Sequence, residues 1–186
     1  MVRLTRIYTR LGDDGETHLG DMSRVRKDGA RVTAFGEVDE ANSAIGVARA
    51  TGVGEADDWL GAIQNDLFDV GADLCVPHGG PSEHPPLRVS ASQVERLEAW
   101  CDEANDRLEP LTSFVLPGGT AAAAALHLAR SVTRRAERAV VSLAQEEQVN
   151  PEALRYLNRL SDLLFILARA ANGDRGDVLW VPGEGR

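Results

Sequence analysis

Fifteen residues, Leu126-His-Leu-Ala-Arg-Ser-Val-Thr-Arg-Arg-Ala-Glu-Arg-Ala-Val140, place four arginines within nine positions. Side chains three and four apart share a helix face, so His127, Arg130, Arg134 and Glu137 or Arg138 form one polar stripe. Arg130 and Arg134 are then separated by about 6 Å of rise. A guanidinium is always charged and carries a rigid fork of donors, so such a ladder suits the many oxygens of a polyphosphate. A solvated charged face competes with that meaning, and the helix alone leaves both open.

A second anion-binding element lies near the N-terminus. Thr9-Arg-Leu-Gly-Asp-Asp-Gly-Glu-Thr-His-Leu-Gly20 holds three glycines and turn-forming aspartates. Consecutive backbone N–H groups in such a loop can form an anion nest, with hydroxyls from Thr9 and Thr17. It is not a P-loop, because GxxxxGK[ST] is absent. Just beyond it stands Lys27, the single lysine beside nineteen arginines. Where nearly every cation is written as arginine, one lysine suggests a need for a compact ammonium, with compositional accident as the rival.

The elements that must position these residues are helical. A first helix over about Ala30 to Ala50 buries Phe35, Val38, Ile45 and Ala48, and carries the polar cluster Glu37, Asp39, Glu40 and Asn42. A second, about Glu55 to Leu74, has a seam of Ile63, Leu67, Val70 and Leu74. The Gly- and Pro-rich stretch 76–86 interrupts the helices; its His78 and His84 lack further ligands at metal spacing and read as surface loop. A capping box at Ser92-Gln-Val-Glu95 opens a third helix that ends near Leu108. An apolar loop, Leu111 to Gly119, leads into a fourth helix over about Thr120 to Gln145. Asn150-Pro151 caps a fifth, which runs to a stop at Gly173. Its core stripe is Leu157, Leu160, Leu164 and Leu167, and its other face carries Arg155, Asn158, Asp162, Phe165 and Arg169. Val178 to Pro182 reads as an extended tail packed on the bundle. With no convincing strand pattern, the chain is expected to be an all-α, five-helix antiparallel bundle in a single domain. Residues 1–28 form an irregular segment that holds the candidate anion loop, 29–175 the bundle and 176–186 the tail.

Composition narrows the partners. The net charge is −9 and the pI near 4.9, so a broad nucleic-acid surface is excluded and a phosphate site must be a local concentration of cations. Cys75 and Cys101 stand in unrelated contexts, which fits a reducing cytoplasm. There is no export-type apolar leader and no run of about 18 apolar residues for a membrane span. Iron-carboxylate bundles are disfavoured because Glu-x-x-His does not occur.

Taken together, the motifs resemble the PduO-type ATP:cob(I)alamin (corrinoid) adenosyltransferases. The resemblance covers nearly the whole chain: Ile7 to Thr17, Arg24 to Lys27, Val38-Asp-Glu-Ala-Asn-Ser43, Ile63 to Gly71, Phe114-Val-Leu-Pro-Gly-Gly119, Arg130 to Arg138 and Tyr156 to Phe165. It implies a five-helix bundle assembled as a homotrimer, with ATP and cobalamin bound between subunits. The implied reaction moves the 5′-deoxyadenosyl group of ATP to cob(I)alamin and releases tripolyphosphate, with Mg2+ as the companion ion and its ligands unassigned.

Residue by residue, the resemblance implies that Thr9, Arg10, Leu11, Gly12, Thr17, His18 and Lys27 form the ATP loop of one subunit. Leu11 and His18 differ from the small hydroxyl residues usual in the family. Arg134, Arg135, Glu137, Arg138 and Asn158 would be the ATP contacts on the neighbour's helices. Asp39 and Arg130 would form an intersubunit ion pair, and Phe114, Asp162 and Phe165 would meet the corrinoid. Phe114 would displace its lower axial base, which makes Arg130, Arg134, Phe114 and Asp39 the expected catalytic set. A cobalamin reductase and an adenosylcobalamin-dependent acceptor enzyme are the implied protein partners.

Overall fold

The computed structural model describes residues 8–79 and 85–185. Ile7 and His84 lie outside the described residues. Five helices make up the body: α1 Ala30–Ala50, α2 Asp57–Cys75, α3 Ala91–Asn105, α4 Ala121–Glu146 and α5 Pro151–Ala170. The expected all-α bundle is therefore present. One departure is a short antiparallel hairpin in the N-terminal segment, β1 Glu16–His18 and β2 Arg24–Arg26, with Thr17 opposite Val25. Three-residue strands are too short to register as an alternating pattern, so the segment reads as irregular from sequence alone.

Helix boundaries follow their capping chemistry. Asn150 accepts from the Glu152 N–H at 3.1 Å ahead of Pro151, and Thr120 accepts from the Ala123 N–H at 3.1 Å. The third helix starts earlier than expected. Its N-cap is Ser90, whose N–H donates to Gln93 Oε1 at 3.0 Å. Asp73 holds the Val89 N–H at 2.8 Å and so fixes the entry one residue before that cap. Ser90-x-x-Gln93 forms the box in place of Ser92-x-x-Glu95. The helix also stops at Asn105, short of Leu108.

The apolar seams meet in one core. Ala34, Val38, Ile45 and Ala48 of α1 pack with Ile63, Leu67, Val70 and Leu74 of α2, Leu126, Ala136 and Val140 of α4, and Leu157, Leu160, Leu164 and Leu167 of α5. Each buried leucine or isoleucine contributes about 1.5–3 kcal/mol of transfer free energy, which makes this the dominant stabilising term. Helix α4 lies between α1 and α5; α2 packs chiefly on α1, and α3 on α5. Asn42, part of the polar cluster of α1, is buried and pairs with α2: its Nδ2 donates to the Gln64 carbonyl at 3.0 Å, and the Gln64 Nε2 donates to the Asn42 carbonyl at 3.2 Å.

The helices run antiparallel, so the bundle has two distinct ends. At one, Arg31 at the start of α1 donates to the Leu74 carbonyl at the end of α2 (2.5 Å) and to Glu147 just after α4 (2.6 Å). The hairpin is tied to this same end through the Gly20 N–H, 3.0 Å from the Cys75 carbonyl. At the other end, residues 106–120 connect α3 to α4 and the tail after α5 folds back. The longest helix, α4, spans about 39 Å between these ends.

Candidate functional site

The hairpin end presents a loop of mixed charge. Arg24 is neutralised by Glu16 at 2.6 Å and Arg26 by Asp28 at 2.6 Å. Lys27 has no hydrogen bond or ion pair among the described residues, although its backbone N–H is fixed on the Gly15 carbonyl at 2.9 Å. Its ammonium lies over Gly12: a Cβ there would stand 2.9 Å from Nζ and 3.2 Å from the Glu16 carbonyl. A side chain at Gly12 would displace the flexible tip of the lysine from the space it now fills. Arg10 holds a left-handed φ of 65°, a conformation that costs a residue with a Cβ roughly 1–2 kcal/mol. Thr17 and His18 lie on β1, and Thr9, Leu11 and Gly12 lie in the loop before it.

The arginines of α4 divide into two groups. Arg135 turns toward α1, where it pairs with Glu40 and, at 2.5 Å, with Glu37. These carboxylates hold its guanidinium well above its ordinary pKa, Glu40 most strongly. It is not brought together with the ladder, because adjacent positions on a helix point about 100° apart. Arg130 and Arg134 have no carboxylate partner among the described residues. Arg130 lies 5.9 Å from the centre of the Phe165 ring, its Nε is buried and unpaired, and burial followed by Arg134 lowers its pKa. Arg138 gives one bond to the Arg134 carbonyl at 3.0 Å, while Asn158 donates to Glu137 at 2.8 Å across the groove between α4 and α5. In a protein with 29 acidic residues against 20 basic ones, Arg130 and Arg134 stand out as guanidiniums with no carboxylate partner among the described residues.

His127 is not on an exposed stripe. It is 2% exposed, edge-on to Phe165 at 6.0 Å, and both ring nitrogens lack partners. Burial, then the charge of Arg130, lowers its pKa. Asp39 is exposed on α1 with no partner among the described residues, and it does not meet Arg130 within the chain.

At the loop end, a cavity of about 510 Å3 is lined by Arg130, Arg134, Asp162 and Phe165 together with Leu111 and Arg169. Asp162 is held by Arg159 at 2.7 Å. Phe114 is 77% exposed, although its backbone is fixed on both sides: its carbonyl accepts from the Trp180 N–H at 2.7 Å, and the next bond runs from the Leu116 N–H to the Val178 carbonyl at 2.8 Å. The tail is extended, as expected, but it pairs with this loop and not with a helix. Gly119, at φ 101°, leaves room for the Asn172 amide that accepts from the Thr120 N–H at 3.0 Å.

The pairing of loop and tail was not foreseeable from composition, nor was the burial of Arg169. The available signal was the run Val178-Leu-Trp-Val, whose apolar residues match the equally apolar Phe114-Val-Leu. His78 joins no metal cluster: no three His, Cys, Asp or Glu side chains among the described residues could hold an ion.

The family model described as Cobalamin adenosyltransferase matches residues 7–171. The chain is 57% identical over 189 residues to a corrinoid adenosyltransferase of Mycobacterium tuberculosis, covering 100% of this chain and 97% of that protein. It is 46% identical over 183 residues to a cobalamin adenosyltransferase of Cupriavidus metallidurans, covering 96% and 95%. Its fold matches a variant PduO-type ATP:corrinoid adenosyltransferase from Lactobacillus reuteri complexed with cobalamin and ATP, with a TM-score of 0.88, 38% identity, and coverage of 94% of this chain and 99% of that one.

Proposed function

Because the chain belongs to the cobalamin adenosyltransferase family, we propose how its own residues carry the activity that goes with membership. It is an ATP:corrinoid adenosyltransferase, and its substrates are ATP and cobalamin. In the proposed reaction the Co(I) electron pair forms a bond to the ribose 5′-carbon while the C5′–O bond breaks, and tripolyphosphate departs with that bonding pair. Cobalt supplies the nucleophile, so the protein needs no serine, cysteine or histidine base. Its tasks are to align the reactants and to stabilise charge on the leaving group.

Arg134 and Arg138 are assigned to the triphosphate, with Lys27, Gly12 and the loop Thr9 to His18 closing over it. Asn158 and Glu137 fix the groove wall, and Arg135 acts indirectly by anchoring α4 on α1. Arg130, Phe165 and Asp162 line the corrinoid side, and Phe114 is the aromatic wall against its lower face. Excluding an axial base there makes Co(II) easier to reduce, favouring the Co(I) nucleophile. Mg2+ is assigned to the phosphates of ATP, where an ion that retains waters needs no all-protein cage.

The observation that carries the reading is the pair of carboxylate-free guanidiniums, Arg130 and Arg134, beside the cavity. Its geometry also bears on assembly. The hairpin is bonded at one end of the bundle, on α2, while Phe114 stands at the other, and no hydrogen bond or ion pair among the described residues links residues 9–28 to α4. A complete site therefore takes the hairpin from one subunit and the ladder from its neighbour, in a cyclic homotrimer in which Asp39 reaches a neighbouring Arg130.

The single domain would comprise a nucleotide segment 1–28, a bundle 29–175 and a tail 176–186, working in the cytoplasm. A reductase would supply Co(I), and an adenosylcobalamin-dependent enzyme would receive the product. No helix of the described residues is long and apolar enough to cross a membrane. Incubating the protein with ATP and chemically reduced cobalamin should yield adenosylcobalamin by its absorption spectrum and one tripolyphosphate per turnover. ATP consumed to ADP and phosphate with no adenosylcobalamin formed would refute the assigned bond cleavage.

A further inference from the structure

Arg169 is an arginine near the end of α5 that should, by helical period, face outward with Asp162 and Phe165. It is instead 8% exposed and makes two bonds to different parts of the chain. Its Nε donates to Asp177 Oδ2 at 2.8 Å, and its Nη2 donates to the Glu109 carbonyl at 2.7 Å. Glu109 begins the loop that carries Phe114, and Asp177 begins the tail that pairs with that loop. Beyond Asp177 the two strands meet through Leu116 N–H to Val178 carbonyl, Trp180 N–H to Phe114 carbonyl, and Ser113 hydroxyl to Trp180 carbonyl at 2.8 Å. The Trp180 ring meets Phe114 edge-on at 6.0 Å.

We propose that the Arg169–Asp177 clasp is the positioning device for Phe114, holding loop and tail together so that an exposed ring is presented in one place. Charge-assisted bonds of this kind are the stronger class, and a guanidinium that spans two acceptors fixes direction as well as distance. An aromatic ring with most of its surface in water cannot be oriented by packing, so the backbone beneath it must do so. The loop is secured at its far end by Asn172 and Thr120, in its middle by the tail, and at its near end by Arg169. Arg169 and Asp177 need not touch the corrinoid to act this way.

The inference rests on the reading of Phe114 as the wall at the corrinoid's lower face. The test uses the full-length protein with ATP and cob(II)alamin, and reads the fraction of four-coordinate Co(II) by electron paramagnetic resonance. Asp177→Asn should lower that fraction about ten-fold, with ATP affinity changed less than two-fold and little loss of turnover when Co(I) is supplied ready-made. Arg169→Lys, which keeps the charge but not the fork, should fall between Asp177→Asn and wild type. Trp180→Pro acts at an exposed position, removing the backbone donor and the ring, fixing φ there and restricting Leu179, so it disrupts the loop–tail pairing without touching the buried Arg169–Asp177 pair. It should reproduce the loss, and Trp180→Ala, which keeps the donor, should lose less. A full four-coordinate signal in Asp177→Asn and Trp180→Pro, with a lost signal in Phe114→Ala, overturns the clasp and leaves the Phe114 reading standing. A full signal in Phe114→Ala overturns that reading itself.

Discussion

Where α1 begins, Asp73 is almost wholly buried and accepts from Arg88 at 2.6 Å, the Val89 N–H at 2.8 Å and Asn150 at 2.6 Å, and Arg31 closes the corner. At the opposite end, Leu111, Phe114, Leu116, Trp180 and Val181 stand open to solvent, and Arg130 and Arg134 line a cavity in which neither pairs with a carboxylate, the Asp162 on its wall being held by Arg159. Both ends are built from the same helices, and both contain charged groups. The difference is that the first end pairs its buried charges, whereas Arg130 and Arg134 beside the second have no carboxylate partner among the described residues, as the proposed ligand site requires. In that reading the contrast separates side chains that keep the fold from those that meet the ligand.

The contrast is broken most severely, if it is wrong, by Asp73→Ala. Removing this carboxylate strands Arg88, Asn150 and a backbone N–H, so unfolding free energy should drop by about 3–5 kcal/mol in a denaturant titration. Adenosylation per folded molecule should remain near wild type. Arg134→Ala should do the reverse. Loss of a charge-assisted contact worth about 1.5–3 kcal/mol predicts a 10- to 100-fold fall in kcat/KM. Its thermal midpoint should shift little, because its side chain has no hydrogen-bond or ion partner among the described residues. Steady-state kinetics beside calorimetry on the two variants would show whether the effects cross.

Gly12→Ala sharpens the contrast within the hairpin end. The added methyl meets the flexible tip of Lys27, which can swing aside, so stability should hold while ATP affinity weakens by about 1 kcal/mol. Isothermal titration with ATP would measure it; a lowered melting point at unchanged affinity would mean that the glycine serves the turn alone. The smallest effect concerns His127. Its pKa is lowered in the fold, so below about pH 6.5 the unfolded chain takes up a proton that the folded chain resists. Stability should therefore decline as pH falls below that point, by at most about 1.4 kcal/mol per pH unit for this group. His127→Phe should remove its share of the slope. His78, whose pKa is also lowered, chiefly by burial, keeps contributing in that variant.

Much of the frame was legible in the sequence because it rests on period and capping. The seams Ile63-Leu67-Val70-Leu74 and Leu157-Leu160-Leu164-Leu167 both face the core, and Asn150-Pro151 starts α5. Period set Arg135 off the ladder stripe, but it could not show that Arg135 is taken up by Glu37 and Glu40, nearly one hundred residues away, while Arg134 meets no carboxylate among the described residues. Nor could it bury Arg169 or His127, whose surroundings come from the tail and from α5. The hairpin was hidden for a different reason: its strands are short and its order comes from turns, with Asp21 bonding the Ser23 N–H at 2.9 Å.

The central claim is that one site is assembled from the hairpin of one chain and the arginine ladder of another. Subunit mixing tests it most directly, with Lys27→Ala and Arg134→Ala chains, each keeping at most about a tenth of wild-type turnover alone, co-expressed in equal amounts and purified as mixed oligomers. If the two elements come from different chains, about a quarter of the sites pair an intact hairpin with an intact ladder, and about a quarter of wild-type turnover returns. If each site is built within one chain, every site carries a lesion and turnover stays at the level of the single variants, which would contradict the account.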